Sequence, residues 1–376
     1  MSVRKYYLDN LRLMVILFLF PYHTLIIYSG VADYYFNVAN NLVANALILS
    51  LAPWFMQLLF TIAGIATYYS LKRRNSTQYL KERVSKLLIP TLAGVVLVIP
   101  VSIYFGILYQ GFDGSFLSVW WTMMSNWMEY LANGLLLGPL WFLLYLFIIS
   151  IIALPFIMKY KKSNWRIPLE KVTVPKLLLL VIPLALGSYF LNIYPEKSLI
   201  QFLLLFIFGY FLLSDDGVQE RLEKSRWPLF ISFLVLLGIY VYISAISITA
   251  SAGAAATTST PLAIDLLVKL LINLIMWLGV LSVMGMGKHY LEFKNKSTMY
   301  LAGISFPIYI FHIVWINLLA NYIIGWIPDL MVVQVILIMA LSFVLTLANI
   351  EVVKRIKGLR SLFGLGTKKK QETRME

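Results

Sequence analysis

The chain has 376 residues, of which 60% are hydrophobic and 13% charged, with a formal net charge of +14, three histidines and no cysteine. A soluble protein of this composition would lack the polar surface to cover its apolar excess, so a membrane-embedded chain is expected. The absence of cysteine excludes disulfides, thiolate nucleophiles and thiolate metal sites, and three histidines give no basis for a multi-histidine centre, so no metal is expected.

Stretches of about 20 apolar residues predict an all-α polytopic membrane protein of about ten transmembrane helices. They cover residues 8–29, 42–70, 87–109, 135–158, 175–193, 198–214, 227–249, 264–286, 299–320 and 330–353. The first is long and has no small-residue cleavage site, so it does not read as a cleavable signal peptide. It contains Arg12 and His23, eleven residues apart. At about 100° per residue this spacing ends ~20° from its start, so both side chains share one helix face. They are ~16 Å apart along the axis. An ionised arginine costs roughly 2.5–3.5 kcal/mol at a helix centre on insertion scales, so the pair reads as a functional axis running into the bilayer. The structural alternative is that Arg12 snorkels to the interface and His23 is a satisfied polar residue. Pro21, two residues before His23, removes a backbone donor and predicts a kink with room for a substrate tunnel.

Further along, Gln57 falls mid-span on the second helix, and Gly64 predicts a close helix approach. Residues 110–134 form an aromatic and acidic connection containing Asp113, Trp120, Trp121, Trp127 and Glu129, and Trp141 follows at the start of the fourth helix. An aromatic belt explains these tryptophans by default, and sugar stacking is the functional alternative, with Trp141 the first choice. Ala250 to Pro261 is a small-residue linker. His289 belongs to a basic connection and is expected to be solvated, whereas His312 lies inside the ninth helix at a depth comparable to His23. No repeat signature suggests the inverted halves of many transporters.

Charge sets the predicted topology. All lysines and arginines except Arg12, Lys197 and Lys269 fall on one side of the ten-helix arrangement, including Lys72-Arg73-Arg74, Lys159, Lys161, Arg166, Arg221, Arg226, Lys288, Lys354 and Lys368-Lys369-Lys370. The positive-inside rule then places both termini in the cytoplasm, with 72–86 and 354–376 inside and 110–134 and 250–262 outside. The positive charge is therefore read as topology and lipid contact, and no nucleic-acid partner is expected.

Five segments carry a resemblance. Tyr6-Tyr7-Leu8-Asp9-Asn10-Leu11-Arg12 with His23 resembles the opening helix of the membrane-bound acyltransferase 3 family, closest in look to its periplasmic glucan succinyltransferase branch. Phe60-Thr61-Ile62-Ala63-Gly64, Arg83-Val84-Ser85-Lys86-Leu87-Leu88-Ile89-Pro90, Pro139-Leu140-Trp141-Phe142-Leu143 and Ile304-Ser305-Phe306-Pro307-Ile308-Tyr309-Ile310-Phe311-His312 resemble later family motifs, in the same order. Ala63, Lys86 and Pro139 depart from the usual Ser, Arg and His. The resemblance implies a transmembrane domain over 1–355 with a basic cytoplasmic tail at 356–376, in a bacterial or archaeal cytoplasmic (inner) membrane. It implies transfer of an acetyl or succinyl group from cytoplasmic acyl-CoA, with no permanently bound cofactor, to a hydroxyl of an extracytoplasmic carbohydrate.

Within that reading each residue has a candidate role. The Arg12 guanidinium suits a phosphate or carboxylate, and Asp9, three residues earlier, either fixes its rotamer or is an ordinary helix-start acid. Arg83 and Lys86 either touch acyl-CoA or belong to the positive-inside charge. His23 is the expected general base, with an acyl-imidazole as the alternative route. His312 either supports catalysis and acceptor binding or makes an interhelical hydrogen bond. Gln57 either polarises the acyl carbonyl or bonds a neighbouring helix. Two rival functions are an exporter of polysaccharide or lipid-linked sugar, with Arg12 guiding phosphate, and a non-catalytic component of a synthesis complex. The topology is tested with single cysteines introduced into this cysteine-free chain. Positions 72–74 should resist an impermeant thiol reagent added outside, and their labelling would sink the ten-helix arrangement.

Overall fold

The computed structural model describes residues 4–31, 36–194, 197–250 and 262–365. The linker expected at 250–262 and the lysine run 368–370 lie almost wholly or wholly outside them. The fold is helical, with one small antiparallel pair, Asn192–Tyr194 with Lys197–Ser198. Among the described residues, seven helical stretches are long and apolar enough to cross a membrane: Leu42–Leu71, Ser76–Tyr109, Gly138–Lys162, Arg226–Thr249, Ile264–Tyr290, Lys296–Trp326 and Met331–Arg355. An eighth span arises if Leu199–Phe211 and Asp216–Lys224, bent by 104° at their junction, count as one.

The other two expected spans are helical but interrupted or short. The first is two helices, Tyr6–Leu17 and Leu19–Ile26. Pro21 has no N–H to give the Leu17 carbonyl and its ring crowds that turn, so the regular ladder ends there. Continuity is kept by Phe18 N–H to Met14 O and Tyr22 N–H to Phe18 O, both 3.0 Å. The segment predicted at 175–193 gives the shorter apolar stretch Val174–Gly187. A π-helical turn, Val84–Leu88, sits within the predicted Arg83–Pro90 motif. Pro90 cannot donate to the Lys86 carbonyl, and the turn widens so that Ile89 N–H reaches Val84 O instead.

Lys296–Trp326 is the hub of the bundle: it packs against Met331–Arg355, Ile99–Tyr109, Tyr6–Leu17 and Leu19–Ile26. Phe55–Leu71 packs along Leu199–Phe211, and the fit needs two glycines. A Cβ on Gly64 would run into the Phe206 carbonyl, and one on Gly209 into the Thr61 carbonyl, so each backbone lies against the other. Two helices are peripheral, since only 22% of the apolar stretch is buried in Arg226–Thr249 and in Met331–Arg355. Ile231, Val235, Ile239, Tyr242 and Ile246 form an exposed apolar stripe at helical spacing on the first of these, as expected of a lipid-facing surface. The chain is a multi-pass membrane protein.

The basic connections meet at one end of the bundle. Lys5 pairs with Asp216 and donates to Gln219 Oε1 at 2.5 Å, Lys161 Nζ donates to Leu71 O at 3.0 Å, and His289 Nδ1 lies 3.0 Å from Glu223 Oε1. At the other end Asn45 bonds Thr249 at 3.0 Å, and Tyr145 OH donates to Lys197 O at 2.9 Å. The alternation read from charge thus agrees with which connections share an end. His289 is more than a solvated side chain, because it shares Glu223 with Lys288. Beyond residue 355, Lys357–Leu362 forms a short helix and the Phe363 ring packs 4.7 Å from Phe311, so the start of the expected tail lies on the bundle.

Gly64→Ala and Gly209→Ala should each lower the thermal unfolding midpoint in detergent, since overpacking a tight contact costs about 1–3 kcal/mol. Gly238→Ala meets nothing within 4 Å and should leave it unchanged or raise it.

Candidate functional site

Two of the three histidines come together inside the bundle. His23 on Leu19–Ile26 and His312 on Lys296–Trp326 are both buried, with ring centroids 5.1 Å apart and ring planes at 43°. The helix hub explains this: both halves of the first helical segment pack on Lys296–Trp326, and the expected similar depth becomes direct adjacency. Phe20 stands edge-on to His312 at 5.9 Å, and Tyr22 is edge-on to His23 at 5.2 Å and tilted on Phe55 at 5.0 Å. The surroundings of the imidazoles are therefore aromatic.

Hydrogen bonding distinguishes the two nitrogens of His312. Nδ1 lies 2.7 Å from the Tyr309 carbonyl oxygen, which can only accept, so Nδ1 carries a proton and donates. In a neutral imidazole that leaves Nε2 with a lone pair. Nε2 is buried and has no hydrogen-bond partner among the described residues. A buried polar atom left open costs about 1–3 kcal/mol, which is the arrangement expected of a nitrogen whose partner arrives with substrate. Thr24 Oγ1, beside His23, and Gln57 Oε1 are likewise buried without a partner among the described residues.

From the histidines an aromatic path connects three of the predicted motifs. Tyr309 is 6.0 Å from His312 and 5.7 Å from Phe142, and Phe142 is 4.8 Å from Phe60. The Tyr309 hydroxyl also donates to the Pro139 carbonyl. Trp141 continues the path, packing against Phe60, Phe142, Tyr145 and Phe202 with Lys197 Nζ 5.6 Å over its ring. It is 8% exposed, so its ring serves packing rather than an open carbohydrate face. Among the expected outer aromatics it is Trp121 and Trp127, 68% and 50% exposed, that present open rings, on the same connection as the exposed acids Asp113 and Glu129.

The residues expected to meet acyl-CoA gather at the basic end. Asp9 accepts from Arg12 at 3.4 Å and from Arg4 at 2.8 Å, so it holds two guanidinium groups rather than one. Lys5, expected on the Arg12 stripe, is turned onto Asp216 and Gln219. Arg83 donates to Thr67 Oγ1 at 3.0 Å and stacks on Tyr79 at 4.7 Å, while Lys86 and Arg74 both pair with Glu82. Sequence reasoning missed the anchor of this end. Glu292 accepts from the Tyr6 and Tyr7 N–H groups at 2.9 and 3.2 Å, and Asn10 Nδ2 donates to the carbonyls of Leu291 and Phe293. A carboxylate capping a helix N-terminus is a familiar device, but this one comes from a connection 286 residues away in the chain, and no local pattern announces it. Asn10, inside a quoted motif, was the available signal. No group of three or more His, Cys, Asp or Glu among the described residues could hold a metal ion.

With isotope-labelled histidine, His312 should show nitrogen shifts of the Nδ1-protonated tautomer. The Nε2-protonated form would contradict the bond to Tyr309. A family model described as an acyltransferase domain matches residues 5–349. No curated protein and no solved structure matches the chain.

Proposed function

Because this chain belongs to the acyltransferase 3 family, whose model spans nearly all of its membrane-embedded part, we propose that it transfers an acetyl or succinyl group from cytoplasmic acyl-CoA to a hydroxyl of an extracytoplasmic glycan, from the inner membrane. The observation that carries the reading is the buried histidine pair, with one imidazole nitrogen held as a hydrogen-bond donor and its opposite nitrogen left as a lone pair.

In the proposed reaction His312 Nε2 takes the proton from the acceptor hydroxyl. The oxygen attacks the thioester carbonyl, the C–S bond breaks, and the proton passes to the departing CoA sulfur. The Tyr309 carbonyl stabilises the imidazolium by keeping Nδ1–H bonded throughout. In the reading from sequence the base role falls to His23. Here His23 is the adjoining imidazole that orients the hydroxyl or carries an acyl group transiently. The Thr24 hydroxyl is a donor suited to the developing oxyanion, and Gln57, whose open atom is the acceptor Oε1, would have to serve through its Nε2 amide. Arg12, with Asp9 fixing its head, takes a phosphate or carboxylate of the donor, and Arg83 and Lys86 supply further positive charge at that end. The exposed Trp121 and Trp127 replace Trp141 as the side chains suited to the carbohydrate.

The test incubates purified protein with labelled acetyl- or succinyl-CoA and candidate glycans. His23→Ala and His312→Ala should each lower transfer by about 10²–10⁴-fold. His312→Asn can still donate to the Tyr309 carbonyl but has no Nε2, so it should keep the wild-type unfolding midpoint while losing transfer. Near-normal transfer by His312→Asn would remove the base from this mechanism. Arg12→Lys keeps charge without the bidentate fork and should raise KM for acyl-CoA more than it lowers kcat. An unchanged KM would contradict the donor role.

A further inference from the structure

At the basic end of the bundle a half-open cavity of about 360 Å³ lies between the ends of Phe55–Leu71, Trp141–Lys162 and Leu199–Phe211, away from the histidine pair. Its buried floor is Leu71, Tyr210 and Ser214, and its partly buried walls include Tyr68, Tyr160 and Phe211. Three cations stand around its mouth: Lys72, Lys161 and Arg166. None of the three forms an ion pair among the described residues. Their contacts are with neutral groups: Lys72 Nζ sits 4.2 Å over the Tyr68 ring, Lys161 donates to Leu71 O, and Arg166 donates to the carbonyls of Tyr160, Ser163 and Trp165. No acidic residue lines the cavity.

Among the described residues, none of the nearby acids pairs with these three cations. Asp215 caps its own helix through the Val218 N–H and Asp216 is taken by Lys5, while Glu170, next to the lining residue Leu169, is exposed and outside the cavity lining. By contrast, Arg12, Lys86, Lys288 and Lys354 each have a carboxylate within reach. Three like charges converging on one aromatic-walled cavity repel one another unless an anion joins them. A phosphate has oxygens enough to accept from several such cations, and the tyrosine, leucine and phenylalanine walls suit the apolar or aromatic remainder of an amphiphile.

We infer that this cavity is a phosphate-binding site. The group it takes is carried either by the headgroup of an anionic membrane lipid or by the nucleotide end of the acyl donor. Only the second occupant rests on the proposed acyl transfer. The site itself stands on the three cations and the cavity.

The experiment measures binding to the purified full-length protein with two probes. Phosphatidylglycerol retention is counted by native mass spectrometry, and adenosine 3′,5′-bisphosphate affinity is measured by calorimetry. The variant K72Q/K161Q/R166Q should lose affinity for one probe on the order of a hundredfold, at about fivefold for each charge removed. K162Q/K171Q/K176Q, which deletes equal charge outside the cavity lining, should stay within about threefold. K72R/K161R/R166K should retain binding. Should the neutral triple variant not purify folded, Lys161→Gln and Arg166→Gln singly carry the test. Loss of lipid alone identifies a headgroup, and loss of the bisphosphate alone identifies the donor's nucleotide. Undiminished binding of both probes, or equal loss in the control variant, overturns the site. Because binding is measured without transfer, a protein that binds a probe here yet transfers no acyl group would refute the proposed reaction and leave the phosphate site standing.

Discussion

No polar group inside an apolar helical bundle can turn to water, and every buried donor and acceptor must find its partner within the protein or in a ligand. Much of this interior obeys that rule through long-range bonds. The Trp277 indole donates to Leu177 O, Tyr28 bonds Gln334, and Asn317 reaches Ser102 O. Each ties together elements far apart in the chain. His312 obeys it at Nδ1 and departs from it at Nε2. Other buried side-chain atoms of the described residues are also open, among them Tyr7 OH, Trp315 Nε1 and Asn317 Oδ1, and what distinguishes His312 Nε2 is that it belongs to an imidazole packed against a second one.

The arrangement holding that depth is mostly aromatic. Individual ring pairs contribute about 0.5–1.5 kcal/mol beyond area burial, so the path from His312 through Tyr309 and Phe142 to Phe60 and Trp141 is stabilising as a set and stiff at each step. Gly64 and Gly209 let Phe55–Leu71 and Leu199–Phe211 approach backbone to backbone, which brings Phe60 and Phe202 into a stack at 4.4 Å. Trp141 belongs to this scaffold. A residue whose motif suggests ligand contact acts here on the site's shape.

Charge does different work. The ion pairs at the basic end are largely exposed, and exposed pairs contribute about 0–1 kcal/mol. They do little for stability. Their consequence is positional: Glu82, Glu223, Asp9 and Asp216 hold particular cations, and Lys72, Lys161 and Arg166 remain without a carboxylate partner among the described residues. The charge at this end thus includes both cations locked to acids and cations facing a cavity.

By itself the sequence determined that the protein is a helical membrane protein, which connections share an end, and to which family its motifs belong, because composition, charge alternation and apolar span length act locally and need no partner to be read. Gly64 was legible for the same reason: a small residue in an apolar helix implies a neighbour, although not which one. Only the tertiary structure decided that His23 touches His312, that Nδ1 of His312 is the protonated nitrogen, that Trp141 is buried while Trp121 and Trp127 are open, and that Glu292 caps the first helix. Each depends on which helix faces which, and helix-to-helix register in an apolar bundle is set by the packing of small and aromatic side chains, a property of pairs of helices that no single segment carries.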